Sequence, residues 1–159
     1  MNFNPVIMQS EKVNSLDELP ARLQRGFEAA KVASHYSDGY STRDKMGAAL
    51  FASSRLLSIG FNQYSKSKQG NKFIKLVNNK IIEYYKAVHA EQSCLCSKIQ
   101  FNNNLSNSKL ILYIYREKAD GTPAASAPCE ICQSLIKRSG ISIVRFFTMS
   151  GEYKEWKIN

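Results

Sequence analysis

Apolar residues along the chain recur with two different periods, and the changes of period mark the elements. Leu19, Leu23, Phe27 and Ala30 repeat at helical spacing. With Ser15 and Glu18 as a capping box and Pro20 tolerated in a first turn, they predict an amphipathic helix over roughly 16–35. Two short apolar runs follow, Ala48-Ala49-Leu50-Phe51-Ala52 and Leu56-Leu57-Ser58-Ile59-Gly60-Phe61. Ser53-Ser54-Arg55 joins them as a tight hairpin. Residues 62–72 read as a polar, basic loop, Phe73 to Lys86 carries some helical character, and His89 to about Ile99 reads as a helix. An Asn/Ser-rich loop over 100–108 precedes Leu110-Ile111-Leu112-Tyr113-Ile114-Tyr115, a strand apolar on both faces and therefore central. After a loop over 117–127, Pro128 opens a helix that ends near Gly140. Residues 141–147 form another strand, and Tyr153 to Ile158 returns as an edge strand.

That order predicts an α/β domain: a mixed five-stranded sheet with helices on both faces, in three layers. Residues 1–14 have little periodicity and are expected to be a flexible N-terminal arm, with 15–159 as a single domain. Only Met149-Ser150-Gly151-Glu152 separates the last two apolar runs. Four residues suit a hairpin and not a parallel crossover, so the final pair should be antiparallel.

The chain has 159 residues, enough for one domain with its own core, and 43% of them are hydrophobic, which excludes wholesale disorder. No apolar run approaches the ~20 residues of a membrane span. Met1-Asn2-Phe3-Asn4-Pro5 lacks the charged and apolar regions of a signal peptide, so a cytoplasmic protein without membrane association is expected. Lys and Arg number 22 against 13 Asp and Glu, a formal charge of +9. Such a surface attracts anions: nucleic acid, nucleotide phosphates or acidic proteins. The excess concentrates at Lys66, Lys68, Lys72, Lys75, Lys80 and Lys86, against Glu83 alone. This stretch reads equally as a solvated face or as a strip that tracks phosphates.

The candidate chemistry lies in His89-Ala90-Glu91 and Pro128-Cys129-Glu130-Ile131-Cys132. His89, Cys129 and Cys132 offer one imidazole and two thiolates, a soft set suited to Zn²⁺. Three protein ligands leave a fourth tetrahedral position for water, the mark of a catalytic rather than a structural zinc. Cys129 starts a helix, where thiol pKa falls, and Cys132 returns to the same side one turn on. Glu91, two residues from His89, is placed to take a proton from a water whose pKa the metal lowers to about 7. Cys94 and Cys96, five and seven residues beyond His89, are the alternative fourth ligands of a purely structural site. His35 reads as a surface residue at a helix end, Tyr84 and Tyr85 as core and rim aromatics. Phe147, Tyr153 and Trp156 are candidates to stack a base or simply to pack.

Together the two motifs match the H-x-E … P-C-x-x-C signature of zinc deaminases, and the chain resembles the cytidine/deoxycytidylate deaminase superfamily. The resemblance spans about residues 25–150 and includes Gly47-Ala48-Ala49-Leu50-Phe51, Gly60-Phe61-Asn62 and the passage from Leu135 to Ile141. It implies a cytidine-deaminase-like fold for 15–159, a Zn²⁺ cofactor on His89, Cys129 and Cys132, and Glu91 as catalytic proton shuttle. It also implies substrate contacts from Asn62 and from the backbone of Ala90, and an N–H of Cys129 beside the zinc-bound oxygen of the attacked carbon. The implied reaction is hydrolytic deamination of cytosine to uracil. The leading substrate is a free cytidine or deoxycytidine nucleoside or nucleotide; the alternative is cytosine or adenine in single-stranded DNA or RNA. An antiparallel final strand pair resembles the nucleoside branch and some bacterial toxin deaminases. Relatives frequently form dimers or tetramers, which leaves a homo-oligomer open.

Overall fold

A computed structural model describes residues 6–39, 45–63, 72–77, 80–85, 88–96 and 109–158; for 6–11, 72–77, 80–85 and 96 it describes the backbone. Its strands are β1 (Val6–Lys12), β2 (Met46–Ala52), β3 (Arg55–Phe61), β4 (Lys72–Val77), β5 (Lys80–Tyr85), β6 (Leu110–Arg116), β7 (Ile143–Phe147) and β8 (Glu152–Lys157). Its helices are α1 (Ala21–Ser34), α2 (Ala90–Cys96) and α3 (Glu130–Arg138).

The five strands expected for the sheet, β2, β3, β6, β7 and β8, form one mixed sheet. The order is β1-β8-β7-β6-β2-β3, with β6 and β7 parallel and the other neighbours antiparallel. The final pair is antiparallel, as the four-residue connection requires: Val144 lies opposite Trp156 and Phe147 opposite Tyr153. The one parallel pair is joined through α3, the crossover such a pair demands.

Three expectations change. Residues 6–12, expected in the loose arm, pair along β8 as a sixth strand, because β8 otherwise offers an unpaired edge. Within the stretch from Phe73 to Lys86, expected to be helical, the described residues are the strands β4 and β5, which pair antiparallel in a sheet of their own, with Val77 opposite Lys80 and Phe73 opposite Tyr84. The first helix begins late. Ser15 caps a short 3₁₀ turn at Leu16–Glu18, Leu19 is extended, and α1 starts after Pro20. Proline disfavours helical backbone in the residue before it, so the capping box and the α-helix become two elements.

The sheet is buried on both faces. Alternation along β2 and β6 sends Ala49, Phe51, Ile111, Tyr113 and Tyr115 toward α1. It sends Ala48, Leu50, Leu112 and Ile114 toward the opposite layer with Ala90, Cys94 and Ile136 of α2 and α3. Phe27 of α1 is fully buried among rings, edge-on to Tyr113 at 5.2 Å and 4.8 Å from Phe147. Burial of that ring contributes about 1.5–3 kcal/mol, and each aromatic pair adds about 0.5–1.5 kcal/mol. Phe147, Tyr153 and Trp156 are all buried, so they pack the core and present no ring for a base. Among the described residues, no helix is long and apolar enough to cross a membrane.

Candidate metal centre and active site

The two motifs meet at the carboxyl ends of β6 and β7. His89 stands just before α2, and its segment is tied to the end of β3 by the Gln63–Val88 bridge. The His89 N–H donates to Gln92 Oε1 at 2.9 Å, half of a capping box that fixes the start of α2. Beneath it α2 lies unusually close to β3. A Cβ on Gly60 would strike the Ala90 carbonyl and the Cys94 amide, and would sit 2.7 Å from Cys94 Cα. Ser58 Oγ completes the seam by donating to the Cys94 carbonyl at 2.8 Å.

Cys129 is the N-cap of α3 and Cys132 lies in its first turn. The loop that delivers them is pinned by Ser126, which is 1% exposed. Its hydroxyl donates to the Ile114 carbonyl at 2.9 Å and accepts from the Phe147 N–H at 3.0 Å. Ser126 thus ties the ends of β6 and β7 together three residues before the first cysteine. Gln133 Nε2 donates back to the Pro128 carbonyl at 2.9 Å.

These constraints bring three donors together. His89 Nδ1 lies 3.3 Å from Cys132 Sγ and 3.5 Å from Cys129 Sγ. The three donor atoms lie within 4.8 Å of one another, close enough to share a single cation. The Cys129 thiol is lowered to about 3, chiefly because the Cys132 thiol hydrogen-bonds to it. The same hydrogen bond, reinforced by burial, pushes Cys132 up. Two sulfurs that share one proton in this way are poised to exchange it for a metal ion.

Glu91 is 2% exposed beside this cluster. Burial raises its carboxyl above the ordinary range. Its Oε2 has no hydrogen-bond partner among the described residues. A buried carboxylate oxygen without a partner is costly, and a cation-bound ligand next to the thiolates would supply one. The donor set and this orphaned oxygen both fit zinc.

Cys94 does not join the cluster. It is fully buried, with its sulfur 3.6 Å from the Ser58 carbonyl, and burial pushes its thiol up to about 12. The side chain of Cys96, and Lys66, Lys68 and Lys86, lie outside the described residues, as do the side chains of Tyr84 and Tyr85. Asn62 is buried at the end of β3, where its Oδ1 accepts the Met46 N–H at 2.8 Å. It thereby fixes the start of β2. Ala90 is fully buried at the first position of α2.

The sequence profile of the cytidine and deoxycytidylate deaminase zinc-binding region matches residues 21–148. The chain belongs to this family. It is accordingly a zinc-dependent hydrolytic deaminase, and His89, Cys129 and Cys132 are the residues that could hold the zinc. Among solved structures it is similar to a cytidine deaminase from Burkholderia pseudomallei, with 19% identity and a TM-score of 0.56 over 84% of this chain and 90% of that one. This likeness shows the shared fold. A dCMP deaminase from the cyanophage S-TIM5 aligns at 17% identity and a TM-score of 0.47, over 79% of this chain and 82% of the other. No curated protein sequence matches the deaminase.

The sequence left Gln92, Ser126 and Gly60 unremarked as positioning residues. A signal existed for the first: Gln stands at the third helical position after His89, where capping boxes place Glu or Gln. Ser126 and Gly60 act through tertiary contacts that no local pattern announces.

Proposed function

We propose that the protein deaminates the cytosine ring of a free cytidine or deoxycytidine nucleoside or nucleotide, exchanging the C4 amino group for oxygen from water and releasing ammonia. The observation that carries this reading is the buried carboxylate of Glu91 beside the His89, Cys129 and Cys132 donors, with its Oε2 lacking a hydrogen-bond partner among the described residues. Zinc, when bound there, supplies a Lewis acid that makes water a nucleophile near neutral pH. Glu91 takes one proton from the attacking water and delivers it to the ring N3, then takes the second from the hydroxyl added at C4 and passes it to the amino nitrogen, which departs as ammonia. Its burial, which raises the carboxyl above the ordinary carboxylate range, supports this role, since a less acidic carboxyl returns protons more readily. Asn62 and the backbone of Ala90 orient the nucleoside, and the wall of α2 excludes bulk water.

The antiparallel β7–β8 pair, the strand direction of the nucleoside branch and of some bacterial toxin deaminases, supports the free nucleoside or nucleotide as the leading substrate. Ammonia release from cytidine, deoxycytidine and their monophosphates by the zinc-loaded enzyme tests the reading. Turnover of one of them supports it. Silence on all four, with uracil formed in a cytosine-bearing single-stranded oligonucleotide, overturns it in favour of an editing activity.

A further inference from the structure

On the far side of the sheet from the zinc ligands, α1 leaves a cavity of about 470 Å³ over the strand ends near the β2–β3 turn. It shares no residue with the metal centre. Its floor is apolar, formed by Phe51, Ile111 and Tyr113. Four cations line it, Arg22, Arg25, Lys109 and Arg145, and no acidic residue does among the described residues.

Two of these cations are held in place. Arg25 donates to the Ser54 carbonyl at 2.7 Å and lays its guanidinium 5.6 Å over the Phe51 ring. Arg145 is 8% exposed, donating from Nε to Glu155 Oε1 at 2.9 Å and from Nη1 to the Tyr113 hydroxyl at 2.5 Å. Its other terminal nitrogen makes no hydrogen bond among the described residues. Glu155 balances one of the four charges, and it also accepts from Tyr153 at 2.6 Å. Three positive charges over an apolar floor therefore have no counter-charge in the cavity among the described residues.

We infer that this cavity is a second ligand site, which takes a small phosphate monoester carrying a flat ring, of mononucleotide size. Confined positive charge focuses the field on an anion, and the forked donors of Arg match phosphate oxygens. A phosphate dianion answers the uncompensated charge better than a single carboxylate. The rings of Phe51 and Tyr113 give the planar part of the ligand a surface to cover. The volume falls within the roughly 300–1,000 Å³ of small-molecule sites.

The test is a titration of zinc-loaded, ¹⁵N-labelled protein with GMP, with inorganic phosphate and with a single-stranded dT decamer. GMP should saturably shift the amides of Ser53, Ser54 and Ile111. Inorganic phosphate should shift the same amides more weakly. The charge reversal Arg25→Glu with Lys109→Glu should weaken GMP by at least about tenfold. Arg25→Lys with Lys109→Arg should retain most of the binding, and both pairs should keep wild-type deaminase turnover. Shifts confined to Ala90 and Glu91, or GMP binding indifferent to charge reversal, would overturn the proposal. Phosphate binding as tightly as GMP would remove the ring from it, and tighter binding of the decamer at these amides would replace the small ligand with a polymer.

Discussion

Gly60→Ala tests whether the seam between α2 and β3 sets the catalytic geometry. The added methyl would lie 2.7 Å from Cys94 Cα and closer still to the Ala90 carbonyl and the Cys94 amide. Carbon atoms pack best at about 3.5–4.0 Å, so α2 must retreat by roughly 1 Å. The obstructing atoms are backbone, and no side-chain rotation relieves them. Overpacking of this kind costs about 1–3 kcal/mol. The larger effect falls on function, because α2 carries Glu91 and follows directly from His89. A displacement near 1 Å costs about 100-fold in rate when it separates reacting groups. Urea unfolding, zinc per chain by mass spectrometry and ammonia release would be measured together. Gly121→Ala is the control. Gly121 has a φ of +84° with open space around it, so the substitution strains the backbone by about 1–2 kcal/mol without moving the site. The expected outcome is similar destabilisation in both variants, with turnover lost in Gly60→Ala alone. If Gly60→Ala keeps wild-type zinc and turnover, Gly60 does not place α2 and the reasoning fails.

Four further outcomes follow from the same geometry. Glu91→Gln should retain stoichiometric zinc and lose at least about 10²–10⁴-fold in kcat, and full activity would remove Glu91 from the proton path. Cys129→Ala should lose the metal and with it the stability that metal binding adds, measured as zinc content and melting temperature; metal retained at one per chain would refute the ligand set. Glu155→Gln strips the buried Arg145 of its counter-charge at 2.9 Å and should cost about 3–5 kcal/mol in unfolding free energy, where a loss under 1 kcal/mol would show the pair to be solvated. Burial and the bond to Glu155 raise the Tyr153 phenol, and burial likewise raises Tyr115. Both therefore keep their protons when the unfolded chain has released them. Stability from these groups is present below about pH 10 and falls above it by about 1.4 kcal/mol per pH unit for each tyrosine. Denaturant titrations at pH 9 to 11 would show this slope shallower in Tyr115→Phe, and an unchanged slope would count against it.

The zinc centre was legible in the sequence because its ligands lie in two short segments whose spacing is itself the chemistry. His89 and Glu91 are two residues apart and Cys129 and Cys132 three, and each segment opens a helix. The central strands were equally plain, since Leu110 to Tyr115 is apolar on both faces. The stretch from Phe73 to Tyr85 misled for a local reason. Its apolar and basic residues fit a helical spacing loosely, while the β-branched content on either side of Asn78-Asn79 carried the better signal of a hairpin. The first strand had no such signal. Val6 to Lys12 does not alternate cleanly, and it becomes a strand only because an edge about 145 residues away along the chain accepts it. The roles of Ser126 and Gly60 were hidden for the same reason, for each depends on atoms brought near by the fold.

The reversed direction of β8 also decides where the polypeptide leaves the sheet. Lys157 lies beside Ile143, at the strand ends opposite the metal ligands. A label or surface linker attached at the exposed Lys157 would therefore sit away from the mouth of the reaction centre and leave substrate free to enter.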